Sequence, residues 1–189
     1  MEAVLTPLLN VDQFLDWADG REGKFELEAG RVLAMAPERF LHARVKSQIF
    51  FSLAHVVSAA GLPCEVFTDS IAVRIDRTTS YVPDVLVHCG DRLGGKERET
   101  RSAVIVVEVL SPSTAYRDAS AKLDGYFRIA TVHHYLIVDG DRRLIIHHQR
   151  GKSDNIATRI AARGMLTLDP PGLTLDVDDL LPPIEVDAS

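Results

Sequence analysis

Two apolar segments that each contain a carboxylate constrain this fold more than any other feature of the chain. The first spans 81–87 and holds Asp84, and the second spans 104–110 and holds Glu108. Runs rich in valine and isoleucine predict buried strands. A carboxylate in such a run is costly to bury unless its charge is compensated. Alone, either acid is more typical of a turn or a solvent-facing strand end, but their order and spacing favour a shared site.

After the second segment, the sequence Ser-Pro-Ser-Thr at 111–114 leads into a predicted helix that contains Lys122. Mg²⁺ usually takes one or two carboxylates and completes its shell with carbonyls, water and phosphate oxygens. Asp84 and Glu108 could supply the carboxylates, and the backbone carbonyl of Val109 a third ligand. Lys122 on the helix could orient an attacking water or stabilise charge on a phosphoryl group. The pattern therefore predicts a divalent-metal site for phosphoryl chemistry.

The length of 189 residues, with 46% apolar and 25% charged residues, predicts one domain over 1–189. No apolar stretch reaches the ~18 residues of a membrane span, so we expect a cytoplasmic protein with no membrane contact. Cys64 and Cys89 lie in no metal-binding pattern and are predicted to be buried, reduced thiols.

The net charge of −6 argues against a general polyanion-binding surface but does not exclude a nuclease, because local basic patches can still contact phosphates. The candidate patches are Arg39, Arg44 and Lys46; Arg92, Lys96, Arg98 and Arg101; and Arg142, Arg143, Arg150 and Lys152.

Periodicity and turn residues predict a single α+β domain with a mixed sheet flanked by helices. The predicted helices are 11–18, 38–60 and 118–130. The predicted strands are 25–28, 32–35, 65–75, 82–88, 103–110, 134–138, 143–148, 156–162, 165–168 and 173–177. From about residue 178 the chain is expected to be irregular.

Two further residues are candidates for substrate contact. His42 borders the apolar stripe of the helix 38–60, and a histidine there is either a satisfied near-core residue or a phosphate contact. Tyr126 lies one turn beyond Lys122, where a core role competes with a role in the site. Neither alternative is decided by the sequence.

Other residues with potential chemistry rank lower. Ser111 and Ser113 have no histidine–acid partner at a recognisable spacing, and a Ser-Pro turn that caps the next helix explains them. The adjacent histidines at 133–134 and 147–148 point to opposite faces of a strand, so neither pair can readily bind one metal.

The motifs carry a family resemblance. Pro83-Asp84 with Glu108-Val109-Leu110 resembles the PD-(D/E)xK nuclease signature, with Leu110 where lysine usually stands. Over residues 25–139 the chain resembles the Uma-two family, a bacterial group of restriction-endonuclease-like proteins. The matching elements are Phe25-Glu26-Leu27, Gly30, Met35, Pro37, His42, the Pro-Asp pair, Val-Glu-Val-Leu-Ser-Pro-Ser-Thr at 107–114, Asp-x3-Lys-x3-Tyr at 118–126 and Tyr-Leu-Ile-Val-Asp at 135–139.

This resemblance implies a restriction-endonuclease-like fold with a Mg²⁺-dependent site, in which Mn²⁺ can substitute. Asp84 and Glu108 would be the metal ligands, and Lys122 would replace the absent strand lysine. Glu26 would hold Lys122 or a second metal. DNA is the implied substrate, and a homodimer or higher homo-oligomer is expected by analogy. The chain departs from the family at 131–136, where His133-His134 bears on packing or a partner surface.

Two functions follow as hypotheses. The first is a Mg²⁺-dependent DNA endonuclease that hydrolyses phosphodiesters with metal-activated water. The alternative is a catalytically inactive nuclease-like domain that binds nucleic acid or a protein partner in a mobile-element or defence context. A small-molecule phosphohydrolase is disfavoured, because the sequence has no phosphate-cradling glycine loop.

Overall fold

A computed structural model describes residues 8–110 and 115–181, with residues 115–120 and Asp154 described by their backbone alone. The predicted Ser-Pro cap at 111–114 and the Pro182-Pro183 segment lie outside the described residues. The elements are α1 Val11–Ala18, β1 Phe25–Glu28, β2 Arg31–Ala34, α2 Phe40–Ala59, β3 Cys64–Thr68, β4 Ala72–Arg74, β5 Ser80–Tyr81, β6 Val85–Cys89, β7 Glu99–Thr100, β8 Ala103–Val109, α3 Ala115–Arg128, β9 His134–Asp139, β10 Leu144–Arg150, β11 Ile156–Ala161, β12 Met165–Leu168, β13 Leu173–Asp176 and α4 Val177–Leu180.

The largest sheet is six-stranded and mixed, in the order β11-β10-β9-β8-β6-β3. Its neighbours pair antiparallel except β8 and β9, which are parallel. Alternate residues of β6 and β8 enter different cores, as the period of two in a strand requires. Val85 and Val107 pack in the cluster that contains the buried side of α2, whereas Leu86 packs with Tyr126 of α3. The centre of the sheet is therefore covered on both faces.

A second sheet, in the order β2-β1-β5-β4-β7, carries the N-terminal hairpin. Leu27 of β1 is fully buried against Val11 and Phe14 of α1, which anchors the hairpin. Because side chains alternate along β1, this packing leaves Glu26 on the opposite face. A short pair, β12 with β13, packs in the same core as α2.

The predicted helix 11–18 and the hairpins at 25–35 and 134–148 are confirmed, with the second hairpin extending to Arg150. The predicted strand 65–75 is wrong, because it comprises β3 and β4, which belong to different sheets. Both the backbone N–H and the hydroxyl of Ser70 donate to the carbonyl of Thr68, and this tight turn interrupts the strand. The residues of the predicted strand 65–75 have high β-propensity, so the sequence pattern did not reveal this turn.

The boundaries of two elements, β6 and the C-terminal segment, differ from those predicted from the sequence. The predicted strand 82–88 contains Asp84, but β6 begins at Val85, so Asp84 stands just ahead of the strand. The chain is not irregular from 178, since α4 forms one helical turn whose N-cap, Asp176, accepts a hydrogen bond from the Asp178 backbone at 3.0 Å. Among the described helices, none is long and apolar enough to cross a membrane.

The cysteine prediction is wrong, because Cys64 and Cys89 form a disulfide. β3 and β6 pair antiparallel with these two residues directly opposite each other, and their Cα atoms lie 4.2 Å apart. This separation is near the range that a disulfide spans. Both residues are only partly buried. A strand register that links positions 25 apart is not visible in sequence spacing.

Candidate active site

The start of β6 and the end of β8 lie side by side and bring the two strand acids together. Because the strands pair antiparallel with Val85 opposite Val107, Asp84 precedes one partner and Glu108 follows the other. The backbone N–H of Val109 donates to Asp84 Oδ2 at 2.7 Å. This bond fixes the carboxylate of Asp84, which is only 4% exposed, at the end of β8.

Lys122 of α3 lies between two acids. Its Nζ donates to Glu26 Oε1 at 2.8 Å and to Glu108 Oε1 at 2.9 Å. Glu26 Oε1 also accepts the Val82 backbone N–H at 2.9 Å. Glu26 therefore holds Lys122 in this structure, the first of the two roles that the family resemblance implies for it.

Two tyrosines support this lysine and its acid. The hydroxyl of Tyr126 donates to Glu108 Oε1 at 2.7 Å, and the side chain is fully buried. The ring of Tyr81 lies 5.3 Å from Lys122 Nζ and packs edge-on against Tyr126. A Cβ on Gly125 would lie 2.7 Å from the Tyr81 ring, so only glycine permits this approach. Sequence reasoning missed Tyr81 and Gly125.

The charges at this centre are tightly coupled. Burial raises the pKa of Glu108 to about 7, with Asp84 and Glu26 adding to the rise against the opposing charge of Lys122. Burial by itself would lower the pKa of Lys122, but the carboxylates of Glu108 and Glu26 outweigh it and raise that pKa. A further positive charge near these buried acids would therefore stabilise their ionised forms.

His42 approaches the same point from α2. Its Nε2–H donates to the Val109 carbonyl at 3.0 Å, and Nε2 lies 3.3 Å from Asp84 Oδ2. Its Nδ1 lies 3.5 Å from Glu38 Oε2 and is buried with no hydrogen-bond partner among the described residues. Burial by itself would lower the pKa of His42, but Asp84 outweighs it and raises that pKa. His42 therefore belongs to the site rather than to the apolar core alone.

Glu38, which sequence reasoning missed, lies behind His42. Lys46 Nζ donates to both Glu38 oxygens at 2.6 Å, and Lys24 donates to Glu38 Oε1 at 2.6 Å. Burial would raise the pKa of Glu38, but these two ammonium groups outweigh it and lower the pKa to about 2. The spacing of Glu38 and His42, four residues apart, could have signalled the pair.

Several of these groups could hold a divalent cation. Ligand atoms of Glu38, His42 and Asp84 lie within 4.8 Å of one another. The Val109 carbonyl lies 3.0 Å from His42 Nε2, and the N–H of the same residue contacts Asp84. In the described part of the chain, Lys122 and Tyr126 both bind Oε1 of Glu108, which leaves Oε2 for another ligand. Carboxylate, carbonyl and imidazole donors fit a divalent ion.

A pocket of about 130 Å³ opens beside this cluster. Its walls include His42 and Val109 of the site together with the exposed Arg39. The pocket connects the potential metal ligands to a cation at the start of α2. The other lining residues are Leu41, Val45, Leu110, Gly140 and Asp141.

Most of the other predicted basic patches are engaged in internal contacts. Lys46 is buried against Glu38 and Asp69, Arg92 pairs with Glu65, and Arg98 pairs with Asp16. Arg150 donates to backbone carbonyls, including Val132 at 2.9 Å. Lys46 and Arg150 are therefore held inside the fold, whereas Arg92 and Arg98 remain exposed in their ion pairs.

The paired histidines are structural. His134 Nδ1 lies 2.8 Å from His147 Nε2, and His134 Nε2 lies 3.0 Å from the Pro170 carbonyl. His148 instead stacks on Tyr135, on the other face of the sheet. This arrangement agrees with the expectation that neighbouring histidines face opposite ways. Ser111 and Ser113 lie outside the described residues.

Comparison with known proteins adds independent information. Residues 11–183 match the model of the Uma2 family, described as "Putative restriction endonuclease". An uncharacterized protein of Synechocystis sp. is 26% identical over 174 residues, covering 91% of this chain and 90% of the relative. The crystal structure of a "putative nuclease belonging to DUF820" from Anabaena variabilis has a TM-score of 0.73 at 16% identity, covering 91% of this chain and 97% of that chain. This likeness confirms the predicted restriction-endonuclease-like α+β fold.

Proposed function

This chain belongs to the Uma2 family, described as "Putative restriction endonuclease", and from this premise we propose that it is a divalent-metal-dependent DNA endonuclease. The observation that carries the proposal is the convergence of Asp84, Glu108 and Lys122. Two acids from adjacent strand ends and one lysine are the groups that metal-assisted phosphodiester hydrolysis requires.

The residues proposed to hold the ion are Asp84, Glu108 and the carbonyl of Val109. Mg²⁺ is the ion predicted from the sequence, with Mn²⁺ able to replace it. A bound cation would activate the attacking water and offset charge that develops on the phosphoryl group. The pKa of Glu108, which burial raises to about 7, fits this role, because a nearby cation favours the ionised carboxylate.

The protein's own groups position the reacting partners. The Val109 N–H orients Asp84, and Tyr126 orients Glu108. Glu26 and Glu108 keep the Lys122 ammonium charged and directed into the site. From there Lys122 can donate a hydrogen bond to the attacking water or to a phosphoryl oxygen, which stabilises the transition state more than the substrate.

DNA is the proposed substrate, and Arg39 is the proposed phosphate contact. Arg39 lies in the wall of the pocket that also contains His42 and Val109. A guanidinium there would fix the position of the backbone without reading its sequence. Two copies of the chain would be needed to cut both strands together, and we propose a homodimer on this ground.

The alternative of an inactive nuclease-like domain rests on the acidic net charge of −6 and on His133-His134, where the chain departs from the family pattern. Charge balance bears on general nucleic-acid affinity, whereas cleavage depends on the site. Asp84, Glu108, Lys122 and Glu26 are all present and in mutual contact or close by. Their retention favours the active enzyme.

The test is cleavage of supercoiled plasmid and single-stranded DNA in Mg²⁺ or Mn²⁺. Asp84→Asn and Lys122→Met should each reduce cleavage by about a hundredfold or more, since each removes a group that acts in the transition state. Glu97→Gln and Lys96→Met change exposed residues of the same types and should retain activity. Thermal unfolding of each variant confirms that the fold persists.

Wild-type protein that cleaves no better than buffer in either ion would contradict the proposal. Equal cleavage by wild type and by both site variants would contradict it as well, because the activity would then arise elsewhere.

A further inference from the structure

We propose that His42 is a ligand of the same cation as Asp84 and Val109, and that its imidazole makes the site select Mn²⁺ over Mg²⁺. This inference rests on the proposed function for the existence of the metal site. It goes further in assigning a third side-chain ligand, a positioning acid and an ion preference.

The spacing of the donor atoms carries the first step. His42 Nε2 lies 3.0 Å from the Val109 carbonyl oxygen and 3.3 Å from Asp84 Oδ2. Neighbouring ligands of an octahedral ion, each at about 2.1 Å from it, stand about 3 Å apart. His42 Nε2 therefore already stands at about the separation of an adjacent ligand from each of the other two atoms. A substrate-contacting histidine would have no reason to face both proposed ligands.

The second ring nitrogen of His42, Nδ1, is also placed as metal binding through Nε2 requires. A ligating Nε2 must present its lone pair, so the ring proton has to reside on Nδ1. Nδ1 of His42 is buried, has no hydrogen-bond partner among the described residues, and faces Glu38 Oε2 at 3.5 Å. A small closure would complete the carboxylate–histidine–metal arrangement that orients metal-binding imidazoles.

Glu38 is a positioning residue in this arrangement, although its oxygens lie near those of Asp84. Both Glu38 oxygens accept hydrogen bonds from Lys46 at 2.6 Å, and Lys24 binds one of them as well. Lys24 and Lys46 also pair with Asp69, so two ammonium groups balance two carboxylates, and no net negative charge of this group is left to attract a cation. Glu38 Oε2 also faces His42 Nδ1 at 3.5 Å, where it can accept the ring proton's hydrogen bond.

The preference for Mn²⁺ follows from the chemical types of the ligands. Mg²⁺ is a hard ion that is usually bound through oxygen, whereas imidazole suits transition metals, and Mn²⁺ accepts nitrogen as well as oxygen donors. A site with two carboxylates, one carbonyl and one imidazole therefore favours Mn²⁺. Removing the imidazole should weaken Mn²⁺ binding and leave Mg²⁺ binding nearly unchanged.

The test is pulsed EPR of Mn²⁺ bound to the full chain, which detects a directly coordinated ¹⁴N nucleus without any turnover. We expect ¹⁴N coupling in the wild type, replaced by ¹⁵N coupling when histidine is ¹⁵N-labelled. The coupling should vanish in His42→Gln and persist in His55→Gln, which changes an exposed histidine on the same helix. The wild-type comparison requires no variant to fold.

Calorimetric titration supplies the second measurement. His42→Gln should lower Mn²⁺ affinity about tenfold or more while changing Mg²⁺ affinity much less. Glu38→Gln should also weaken Mn²⁺ binding about tenfold, but the ¹⁴N coupling should remain, because the ligand itself is unchanged.

Four outcomes separate the role of His42 from the proposed function. Mn²⁺ binding that depends on Asp84 but shows no ¹⁴N coupling overturns the role of His42 and leaves the proposed function standing. Coupling that persists in His42→Gln, or equal losses of Mn²⁺ and Mg²⁺ affinity in that variant, also overturns it. Wild-type protein that binds Mn²⁺ no better than Asp84→Asn overturns both.

Discussion

Lys122 of α3 donates hydrogen bonds to Glu26 of β1 at 2.8 Å and to Glu108 of β8 at 2.9 Å, so the two larger sheets of the fold meet at the candidate active site. Lys122 and Glu26 are 96 positions apart in the chain. The contact makes the N-terminal hairpin part of the site, because it supplies the acid that keeps a buried ammonium in place.

We expect Glu26→Gln to impair catalysis without impairing metal binding. The amide removes one of the charges that hold Lys122, so kcat should fall about tenfold to a hundredfold while Mn²⁺ affinity stays within about twofold. Single-turnover plasmid cleavage and calorimetry measure the two quantities. Glu28→Gln, which changes the exposed acid on the same strand, is the matched control. Parallel loss of metal binding would instead assign Glu26 to the metal.

We expect Gly125→Ala to destabilise the protein, although an alanine in a helix is normally favourable. The new methyl would lie 2.7 Å from the Tyr81 ring, and relieving this overlap should cost about 1–3 kcal/mol in free energy of unfolding. Displacing Tyr81 should also reduce cleavage, because its ring packs near Lys122. Urea denaturation measures the stability. Gly95→Ala, with nothing near its Cβ position, should be neutral, and equal stability of both variants would refute the close approach.

The buried histidine pair predicts a loss of stability in acid. Burial lowers the pKa of His134 and of His147 to about 4, from an ordinary value of 6.5. Between these pH values the unfolded chain binds more protons than the folded chain, so the free energy of unfolding falls as the pH falls. From pH 6.5 to pH 4 each histidine should account for a loss of up to about 2.6 kcal/mol, so the combined loss should be at most about 5 kcal/mol.

The comparison that isolates this effect is a double variant, His134→Leu with His147→Leu. Carboxylates titrate in wild type and variant alike, so the difference in their unfolding free energies reports the histidines. Wild type should lose stability faster than the double variant below pH 6.5. Parallel curves would show that the pair retains ordinary pKa values.

The disulfide predicts sensitivity to reductant. Closing a loop between positions 25 apart should stabilise the folded protein by about 3 kcal/mol. Dithiothreitol should therefore lower the urea midpoint of wild type and leave a Cys64→Ser, Cys89→Ser variant unchanged. Two free thiols in denatured, air-exposed wild type would contradict the bond. Disulfides rarely persist in the cytoplasm, which is the location predicted from the sequence, so the stability of the reduced form should be measured as well.

The convergence of Asp84, Glu108 and Lys122 was easier to predict from sequence than their surroundings, while their roles in a site stay a prediction. Asp84, Glu108 and Lys122 could be identified because buried acids and a nearby lysine leave a local pattern. Tyr81 could not be, because its role depends on where β5 packs against α3. The four-residue spacing of Glu38 and His42 could have suggested that they pair, but their position beside Asp84 depends on how α2 packs against β8. The disulfide was missed for a similar reason, since it depends on strand register. A pattern among neighbouring residues can be recognised in the sequence, whereas pairing between distant residues depends on the whole fold.

We propose that plasmid cleavage depends on the cation held by Asp84 and Glu108. A Mn²⁺ titration in which ion binding and plasmid cleavage are followed on the same wild-type sample tests this dependence. Binding and cleavage should rise with one midpoint, and an Asp84→Asn, Glu108→Gln variant should lose both together. Cleavage that proceeds in chelator without added metal, or that survives in this variant, would show that the cation at these two acids is not required.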